Sequence, residues 1–343
     1  MRAARWHGRG DVRIEDVPVP VPAPDELLVE VLWCGICGTD LEEYRDGPLT
    51  IPVQPHPRRG TRAPITLGHE VAGRVHTAAA DGSGPPAGAV VVPDVVIGCG
   101  ACWWCRRHEE GLCPELAVRG QTEDGGLARF MPAHAATCLV VPPGVAPESA
   151  ALVEPASVAV RALRKAGDLL GARVAVVGAG TVGQLVARCA VAAGAVVELV
   201  VDPVPSRREL AVAHGARAAA DPAGAAGAGG YDAVVECSGA DGALPLALDL
   251  ARRGGTVVAV GLRARPEMLD VVGLVLGEKR LVGSAAHLWD TDCAPALDLI
   301  ASGRLPVDDL ISRRVPLERV VEDGFGALAD RAGDVLKVLV DCR

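Results

Sequence analysis

The chain has 343 residues, half of them apolar and only 3% aromatic, and its formal net charge is −9. This length predicts about two domains, with cores built mostly from Val, Leu and Ala. The acidic balance and the absence of Lys- or Arg-rich runs exclude nucleic acid as the main partner, because phosphate binding needs a basic footprint.

The first 150 residues predict an all-β region. Pro and Gly separate short β-branched runs at 27–32, 71–75, 90–92 and 137–141, and spaced prolines at 18–24 indicate an extended connector. The N-terminus leads into charged, strand-like sequence rather than a signal peptide, so we expect a cytoplasmic protein. Eleven cysteines in such a chain favour reduced thiols and metal binding over disulfides.

The stretch after the first apolar run, residues 33–40, concentrates reactive side chains. It holds two thiols, Cys34 and Cys37, followed by Thr39 and Asp40. The C-x-x-C spacing leaves three interpretations open: a redox pair, half of a zinc site, or two unrelated buried cysteines.

Three further side chains are candidates for a metal site. His69 and Glu70 open the next predicted strand, and Glu154 lies where the β region ends. These residues and Cys37 are far apart in sequence, so spacing alone does not show that they meet. A lone His or Glu is more often hydrogen-bonded within the protein or exposed to solvent than bound to a metal.

The most specific metal signal is a cluster of four cysteines in a Gly-rich loop at about residues 95–115. Its members are Cys99, Cys102, Cys105 and Cys113. Four thiolates at this short, regular spacing predict a closed, tetrahedral and therefore structural zinc site. An iron–sulfur cluster is possible by ligand type, and four free cysteines would be an oxidation liability.

From residue 173 onward, predicted strands alternate with Ala-rich helices, which is the pattern of a parallel sheet wrapped by helices. The expected strands are 173–177, 196–201, 233–237 and 256–260. The most apolar window, 185–201, contains Arg188 and Glu198 and is too short and too charged for a membrane span. Residues 222–230 predict a flexible Ala/Gly loop without chemistry.

A glycine-rich turn joins the first of these strands to its helix. Gly178, Gly180 and Gly183 form G-x-G-x-x-G around Thr181 and Val182. Between a strand and a helix this pattern is the dinucleotide fingerprint, in which the helix N-terminus faces the pyrophosphate.

An acidic residue ends the next strand, nineteen residues after the turn. Asp202 there predicts NAD rather than NADP, because a carboxylate accepts hydrogen bonds from ribose hydroxyls and repels a 2′-phosphate. Arg207 and Arg208 follow closely and weaken that preference. Further candidates for cofactor binding lie at the ends of the later strands: Cys237, Ser238, Val260 and Gly261.

Taken in order, these motifs resemble the zinc-dependent medium-chain alcohol dehydrogenases over essentially the whole chain. The likeness is greatest to the butanediol, sorbitol and threonine dehydrogenase branch, and the loop at 51–64 is similar to that of 2,3-butanediol dehydrogenases. The resemblance implies a Rossmann domain, a doubly wound parallel sheet at 155–285. This domain would be inserted into a GroES-like β-barrel catalytic domain, made of 1–154 and 286–343, with the active site in the cleft.

The resemblance also implies roles for individual residues. Cys37, His69 and Glu154 match ligands of a catalytic zinc, and Glu70 matches a carboxylate that can enter the ligand set. Thr39 matches the hydroxyl that passes the substrate proton onward.

Two positions depart from the pattern of these relatives. Glu42 stands where many of them have the His that ends the proton relay, and Arg161 stands where butanediol-type enzymes commonly have His. These changes leave open how the proton relay ends and whether the substrate differs from that of the relatives.

The expected reaction is therefore the oxidation of a secondary alcohol or vicinal diol to its ketone, with two zinc ions per chain and NAD. A polyol or aminocyclitol is the alternative substrate, and a threonine dehydrogenase or a non-catalytic relative is less well supported. Homo-oligomers, dimers or tetramers, are typical of this branch. Candidate pocket residues are dispersed: Trp33, Tyr44, His56 and His287.

Overall fold

The computed structural model describes residues 1–263, 265–329 and 333–343. They form two compact units. The β unit comprises Met1–Glu154, His287–Ala301 and Val307–Arg343, and the α/β unit comprises Pro155–Ala286 and Ser302–Pro306. Ser302–Pro306, expected in the other domain, groups with the α/β unit, where Arg188 Nη1 donates to the Pro306 carbonyl at 2.7 Å.

The strands have the following bounds: β1 Arg2–Gly8, β2 Asp11–Asp16, β3 Glu26–Gly35, β4 Ile65–Thr66, β5 Glu70–Thr77, β6 Val90–Pro93, β7 Val96–Ile97, β8 Ala117–Val118, β9 Phe130–His134, β10 Cys138–Val140, β11 Arg173–Val177, β12 Val196–Val201, β13 Ala219–Ala220, β14 Tyr231–Glu236, β15 Ala251–Ala259, β16 Arg280–Gly283, β17 Ile311–Pro316 and β18 Lys337–Asp341. The α-helices are α1 Gly38–Asp46, α2 Pro147–Ala150, α3 Val153–Ala166, α4 Thr181–Ala192, α5 Pro205–Ala213, α6 Ala243–Leu250, α7 Val271–Leu276, α8 Ala294–Ala301 and α9 Gly326–Ala329.

The β unit is organised around one large sheet. Its strand order is β10-β6-β5-β3-β18-β17, and β9 also pairs with β3. The C-terminal strand β18 lies between β3, to which it is antiparallel, and β17, to which it is parallel. The last residues of the chain therefore complete the sheet that residue 26 begins.

Apolar residues from one face of these strands build the main core of the β unit. Val31 and Cys34 of β3, Val71 of β5 and Val338 of β18 are buried together with Phe325. Cys34 is fully buried in β3.

The α/β unit contains a parallel sheet with the order β13-β12-β11-β14-β15-β16. The inner strands are nearly continuous apolar runs, because a parallel sheet is buried on both faces. This confirms the predicted doubly wound sheet, and residues 222–230 form no helix or strand. Among the described residues, no helix is both long and apolar enough to cross a membrane.

Candidate active site and metal centres

Asp40 joins two of the predicted zinc ligands. Helix α1 begins directly after Cys37, and Asp40 Oδ2 accepts the Cys37 backbone N–H at 3.0 Å. Its other oxygen, Oδ1, lies 3.5 Å from Nδ1 of His69, and both side chains are buried. A carboxylate behind the second ring nitrogen orients a metal-binding histidine and leaves Nε2 for the metal.

The opposite side of the His69 ring faces Thr39. Nε2 of His69 lies 3.3 Å from Thr39 Oγ1, on the first turn of α1. Burial lowers the pKa of His69, but the charges of Asp40 and Cys37 outweigh it and raise that pKa well above its usual value. The same negative potential favours a bound cation.

Glu70, the third candidate, is held by a cation from the end of the chain. Lys337 Nζ donates to both carboxylate oxygens at 2.6 Å and to the Ile36 carbonyl at 2.9 Å. Burial lowers the pKa of Lys337, but the Glu70 carboxylate outweighs this effect and raises it. Glu70 is thus part of a buried ion pair.

Glu154 belongs to a second buried group. His287 Nδ1 lies 3.5 Å from Glu154 Oε1, and its Nε2 lies 3.0 Å from Asp94 Oδ1. Burial raises the pKa of Glu154, but His287 and His69 together bring it below its usual value. His287 therefore stands between two carboxylates.

The donor set of a thiolate, an imidazole and a carboxylate fits a catalytic zinc site. Asp40 contacts both Cys37 and His69, and the charge of His69 lowers the pKa of Glu154. However, only the four-cysteine cluster among the described residues has ligand atoms that all lie within 4.8 Å. The three side chains would therefore have to move closer together to hold a metal.

The four predicted structural ligands do converge. The sulfur atoms of Cys99 and Cys105 are 3.9 Å apart, and those of Cys102 and Cys105 are 3.5 Å apart. Zn–S bonds of about 2.3 Å in a tetrahedron place the sulfurs about 3.8 Å apart. The lobe therefore fits a Zn(Cys)4 site.

The thiols of this lobe differ in acidity. The Ala101 and Cys102 backbone N–H groups lower the pKa of Cys99 to about 7, whereas burial raises the pKa of Cys105 to about 12. Four thiolates cannot share this volume without a metal charge, because their mutual repulsion and burial favour protonation.

The glycine-rich turn has the geometry that its sequence predicts. Gly178 has φ +92°, and a Cβ on Gly183 would collide with the Gly178 carbonyl oxygen. Gly180 caps α4 and faces open space, without a side chain that occupies the helix N–H groups. This helix start is therefore available to an anion.

The Asp202 carboxylate is buried and already accepts two backbone hydrogen bonds. Oδ2 accepts from Ala179 N at 2.7 Å and Oδ1 from Val204 N at 2.8 Å. Asp202 thus ties the strand end to the glycine-rich turn and keeps further lone pairs for a ligand. Arg208 Nη1 donates to the Asp202 carbonyl at 2.7 Å, and the Arg207 carbonyl accepts from Gln184 Nε2.

The later cofactor candidates surround a buried carboxylate that the sequence analysis did not single out. Glu236 Oε1 accepts from the Ser238 backbone N–H and hydroxyl, both at 2.7 Å, and its backbone carbonyl accepts from Val260 N and Gly261 N. Cys237 N donates to the Val177 carbonyl. These residues form one hydrogen-bonded group at the ends of β14 and β15.

The remaining candidates have varied surroundings. Glu42 is half-buried on α1, and Arg161 is buried in the α/β unit. Tyr44 stacks on Phe325 in the core of the β unit, with ring centroids 5.1 Å apart, and His56 Nε2 lies 3.1 Å from the Leu116 carbonyl oxygen. Trp33 is largely buried in β3.

Three polar residues near the predicted site could not be found from the sequence: Lys337 at Glu70, Asp94 at His287, and Gln121, which donates to Thr39. None belongs to a recognisable motif. Lys337 begins an apolar terminal strand, and an apolar strand that carries one Lys was the only available signal.

Comparisons with known proteins agree with this geometry. The family model described as alcohol dehydrogenase GroES-like domain matches residues 23–143, and that described as zinc-binding dehydrogenase matches residues 181–302. The (R,R)-butanediol dehydrogenase of Bacillus subtilis (strain 168) is 32% identical over 99% of both chains. Sorbitol dehydrogenase of Macaca fascicularis is 29% identical over 98% of this chain and 94% of its own.

Solved structures give the same result. The 2R,3R-butanediol dehydrogenase from Bacillus subtilis superposes with a TM-score of 0.91 at 30% identity over 99% of both chains. A structure from Sinorhizobium meliloti 1021, described as a zinc-binding dehydrogenase bound to NADP, has a TM-score of 0.88 at 30% identity, covering 99% of this chain and 98% of its own.

The chain therefore belongs to the family of zinc-binding, GroES-like alcohol dehydrogenases. It is an oxidoreductase of the alcohol dehydrogenase type that uses zinc and a nicotinamide cofactor.

Proposed function

We propose that the protein interconverts a vicinal diol and its hydroxyketone, with 2,3-butanediol and acetoin as the model pair, and uses NAD. The observation that carries this proposal is the grouping of Cys37, His69 and Thr39 around Asp40, in a chain similar over its whole length to butanediol dehydrogenases.

The chain's own residues supply positioning and proton transfer. Asp40 fixes the His69 ring so that Nε2 and the Thr39 hydroxyl face the same space. Thr39 Oγ1 accepts the hydroxyl proton of the substrate and releases its own proton onward. Glu42, on the same helix, is the proposed acceptor beyond Thr39.

Two further groups would supply the rest of the chemistry. Cys37, His69 and Glu154 would hold a zinc ion, which would supply a Lewis acid and so ease the removal of an alcohol proton. The glycine-rich turn at Gly178–Gly183 would hold a nicotinamide cofactor, which would supply the hydride chemistry.

We further propose two zinc ions per chain and a preference for NAD. The four-cysteine lobe supports the second ion, because its sulfurs fit a tetrahedron. Asp202 supports NAD, because its buried carboxylate disfavours a 2′-phosphate nearby. Arg208 stands at the same strand end and would limit the preference.

A polyol is the second candidate substrate, and the sorbitol dehydrogenase relatives favour it. A panel of diols, sugar alcohols, cyclitols and amino alcohols, with NAD⁺ and NADP⁺ and detection of NADH or NADPH absorbance, separates the two candidates. The diol proposal expects the highest kcat/KM for 2,3-butanediol with NAD⁺. A higher value for sorbitol would assign the protein to polyols.

We also propose that the protein forms homo-oligomers through the edge of its parallel sheet. Strand β16 pairs only with β15 among the described residues, and next to it α7 exposes Val271, Val272, Val275 and Leu276. An unpaired edge beside an apolar surface suits a second copy of the same chain.

We propose a cytoplasmic location for the protein. Reduced thiols in the metal lobe support a cytoplasmic location.

A further inference from the structure

We propose that Gln121 recognises the second oxygen of the substrate, the one on the carbon next to the reacting carbon. This inference rests on the proposed function and names the residue that makes the enzyme selective for vicinal diols and hydroxyketones over simple secondary alcohols. The amide of Gln121 donates from Nε2 to Thr39 Oγ1 at 3.3 Å.

The position of Gln121 follows from a tight turn anchored on both sides. Arg119 and Glu123 flank the turn and pair with each other at 3.5 Å. Arg119 also pairs with Glu26, and Glu123 pairs with Arg59, and the Arg119, Glu26 and Glu123 side chains are nearly buried. A buried ionic network of this kind fixes the residue at the tip between its ends.

The same turn is packed against the backbone directly before His69. Gly120 has φ +83°, and a Cβ there would collide with the backbone of Gly68, directly before His69. Gly126 N also donates to the Gly68 carbonyl at 2.7 Å. The turn therefore approaches Gly68 backbone to backbone, and its tip residue reaches the space that His69 and Thr39 share.

The unused hydrogen-bonding capacity of Gln121 points to a ligand. Its half-buried side chain makes one hydrogen bond to the described part of the chain, through Nε2 to Thr39. The second amide hydrogen and Oε1 have no protein partner there. An amide can therefore accept from a hydroxyl or donate to a carbonyl oxygen.

The spacing suits two neighbouring oxygens. Thr39 serves the oxygen that is oxidised, and vicinal oxygens lie about 3 Å apart, a hydrogen-bond distance. A neutral amide also suits two substrate pairs, because the second oxygen is a hydroxyl in the diol–hydroxyketone pair and a carbonyl in the hydroxyketone–diketone pair. A carboxylate at position 121 would accept from the hydroxyl but could not donate to the carbonyl oxygen.

The test compares Gln121→Leu with wild type on 2,3-butanediol and on 2-butanol, which has the same carbon skeleton without the second oxygen. We expect the ratio of kcat/KM for 2,3-butanediol to that for 2-butanol to fall about tenfold, the value of one hydrogen bond, because the lost bond to Thr39 affects both substrates whereas the lost contact to the second oxygen affects only the diol. Calorimetry of 2,3-butanediol binding to the enzyme–NADH complex, where hydride transfer cannot occur, should show a Kd about tenfold higher. Gln54→Leu, at an exposed glutamine of the same unit, should behave as wild type in both measurements.

An equal loss on both substrates would overturn the proposal, because Gln121 would then act only through Thr39. Unchanged Kd and kcat/KM for the diol would overturn it as well. Wild type that oxidises 2-butanol as efficiently as the diol would remove the selectivity but leave the dehydrogenase activity intact. Wild type active on neither substrate would refute the proposed function itself, and Gln121 recognition with it.

Discussion

Lys337 Nζ lies 2.6 Å from both carboxylate oxygens of Glu70, and both side chains are buried. The two residues are 267 positions apart in the chain, on β18 and β5. The Lys337 ammonium group donates to both oxygens of the Glu70 carboxylate, which the His69-Glu70 motif alone would offer to zinc. This pair therefore favours Glu154 as the carboxylate ligand of the resting site.

Removal of one member of this pair should destabilise the protein strongly. Lys337→Met keeps the length of the side chain but leaves a buried carboxylate without its partner, which costs about 3–5 kcal/mol. Urea denaturation followed by circular dichroism measures the loss. Lys337→Met combined with Glu70→Gln should recover most of it, and equal stability of the single and double variants would refute the pairing argument.

Loss of a ligand to the catalytic zinc should abolish turnover without unfolding the chain. Cys37→Ser and His69→Ala are expected to lower kcat/KM at least a hundredfold, because the Lewis acid is lost. Asp40→Asn should weaken zinc binding about 10–100-fold through the His69 ring. Steady-state kinetics and circular dichroism check the first statement, and chelator competition checks the second. Normal turnover in Cys37→Ser would exclude this residue as a ligand.

The four-cysteine lobe should contribute to stability rather than to turnover. Cys102→Ser is expected to reduce the zinc content from about two ions per chain to about one and to cost several kcal/mol, since metal binding is folding free energy there. Cys138→Ser, a half-buried cysteine outside the lobe, is the control and should retain both ions. A Cys102→Ser protein with full zinc content would contradict the structural site.

Asp202 should determine the choice of cofactor. Asp202→Ala removes the carboxylate that disfavours a 2′-phosphate, and the ratio of kcat/KM for NAD⁺ to that for NADP⁺ should fall about tenfold, the effect of about 1.4 kcal/mol. The lost bonds to Ala179 and Val204 should also lower stability. Steady-state kinetics with both cofactors measures the ratio, and an unchanged ratio would show that Asp202 serves the turn alone.

A histidine on the metal lobe should make a small, pH-dependent contribution to stability. Asp290, 2.7 Å from His108 Nε2, raises the pKa of His108 above its usual value, with Glu110 adding to the effect. The contribution is therefore fully present below about pH 6.5 and is lost as the pH rises through the folded-state pKa. It should stay below about 1 kcal/mol, since the pair is partly exposed.

A double-mutant cycle with His108→Gln and Asp290→Asn measures this interaction at acidic and alkaline pH. We expect a favourable coupling energy at the acidic value and none at the alkaline value. Coupling that is larger at the alkaline value would contradict the assignment.

Much of the fold was predictable because local signals and tertiary structure agree. The apolar run before Gly178 can only be a buried strand, and the glycines that follow have the backbone geometry that a dinucleotide turn requires. The four cysteines of the lobe are close in sequence, so their spacing alone predicts that their sulfurs meet.

The surroundings of the candidate active site were not predictable in the same way. Lys337 and Gln121 reach Glu70 and Thr39 through strand order and turn packing, which sequence spacing does not encode. On α1, Asp40 and Glu43 are buried whereas Glu42 is half-exposed. The helical repeat predicts that these acids point in different directions, but it does not say which of them is buried. The buried face is set by Trp6, which donates to the Glu43 carbonyl, and by the loop after the helix, where backbone N–H groups donate to the Glu43 carboxylate.

The placement of β18 has a consequence for biosynthesis. Every strand of the parallel sheet lies between residues 173 and 283, so a ribosome translates the whole of that sheet before it reaches Lys337–Asp341. Strand β3, in contrast, gains its partner β18 only after Lys337–Asp341 has been translated. A nascent chain stalled before residue 337 would therefore carry a complete nucleotide-binding sheet, while Glu70 still lacked its cation and the zinc-binding unit stayed open.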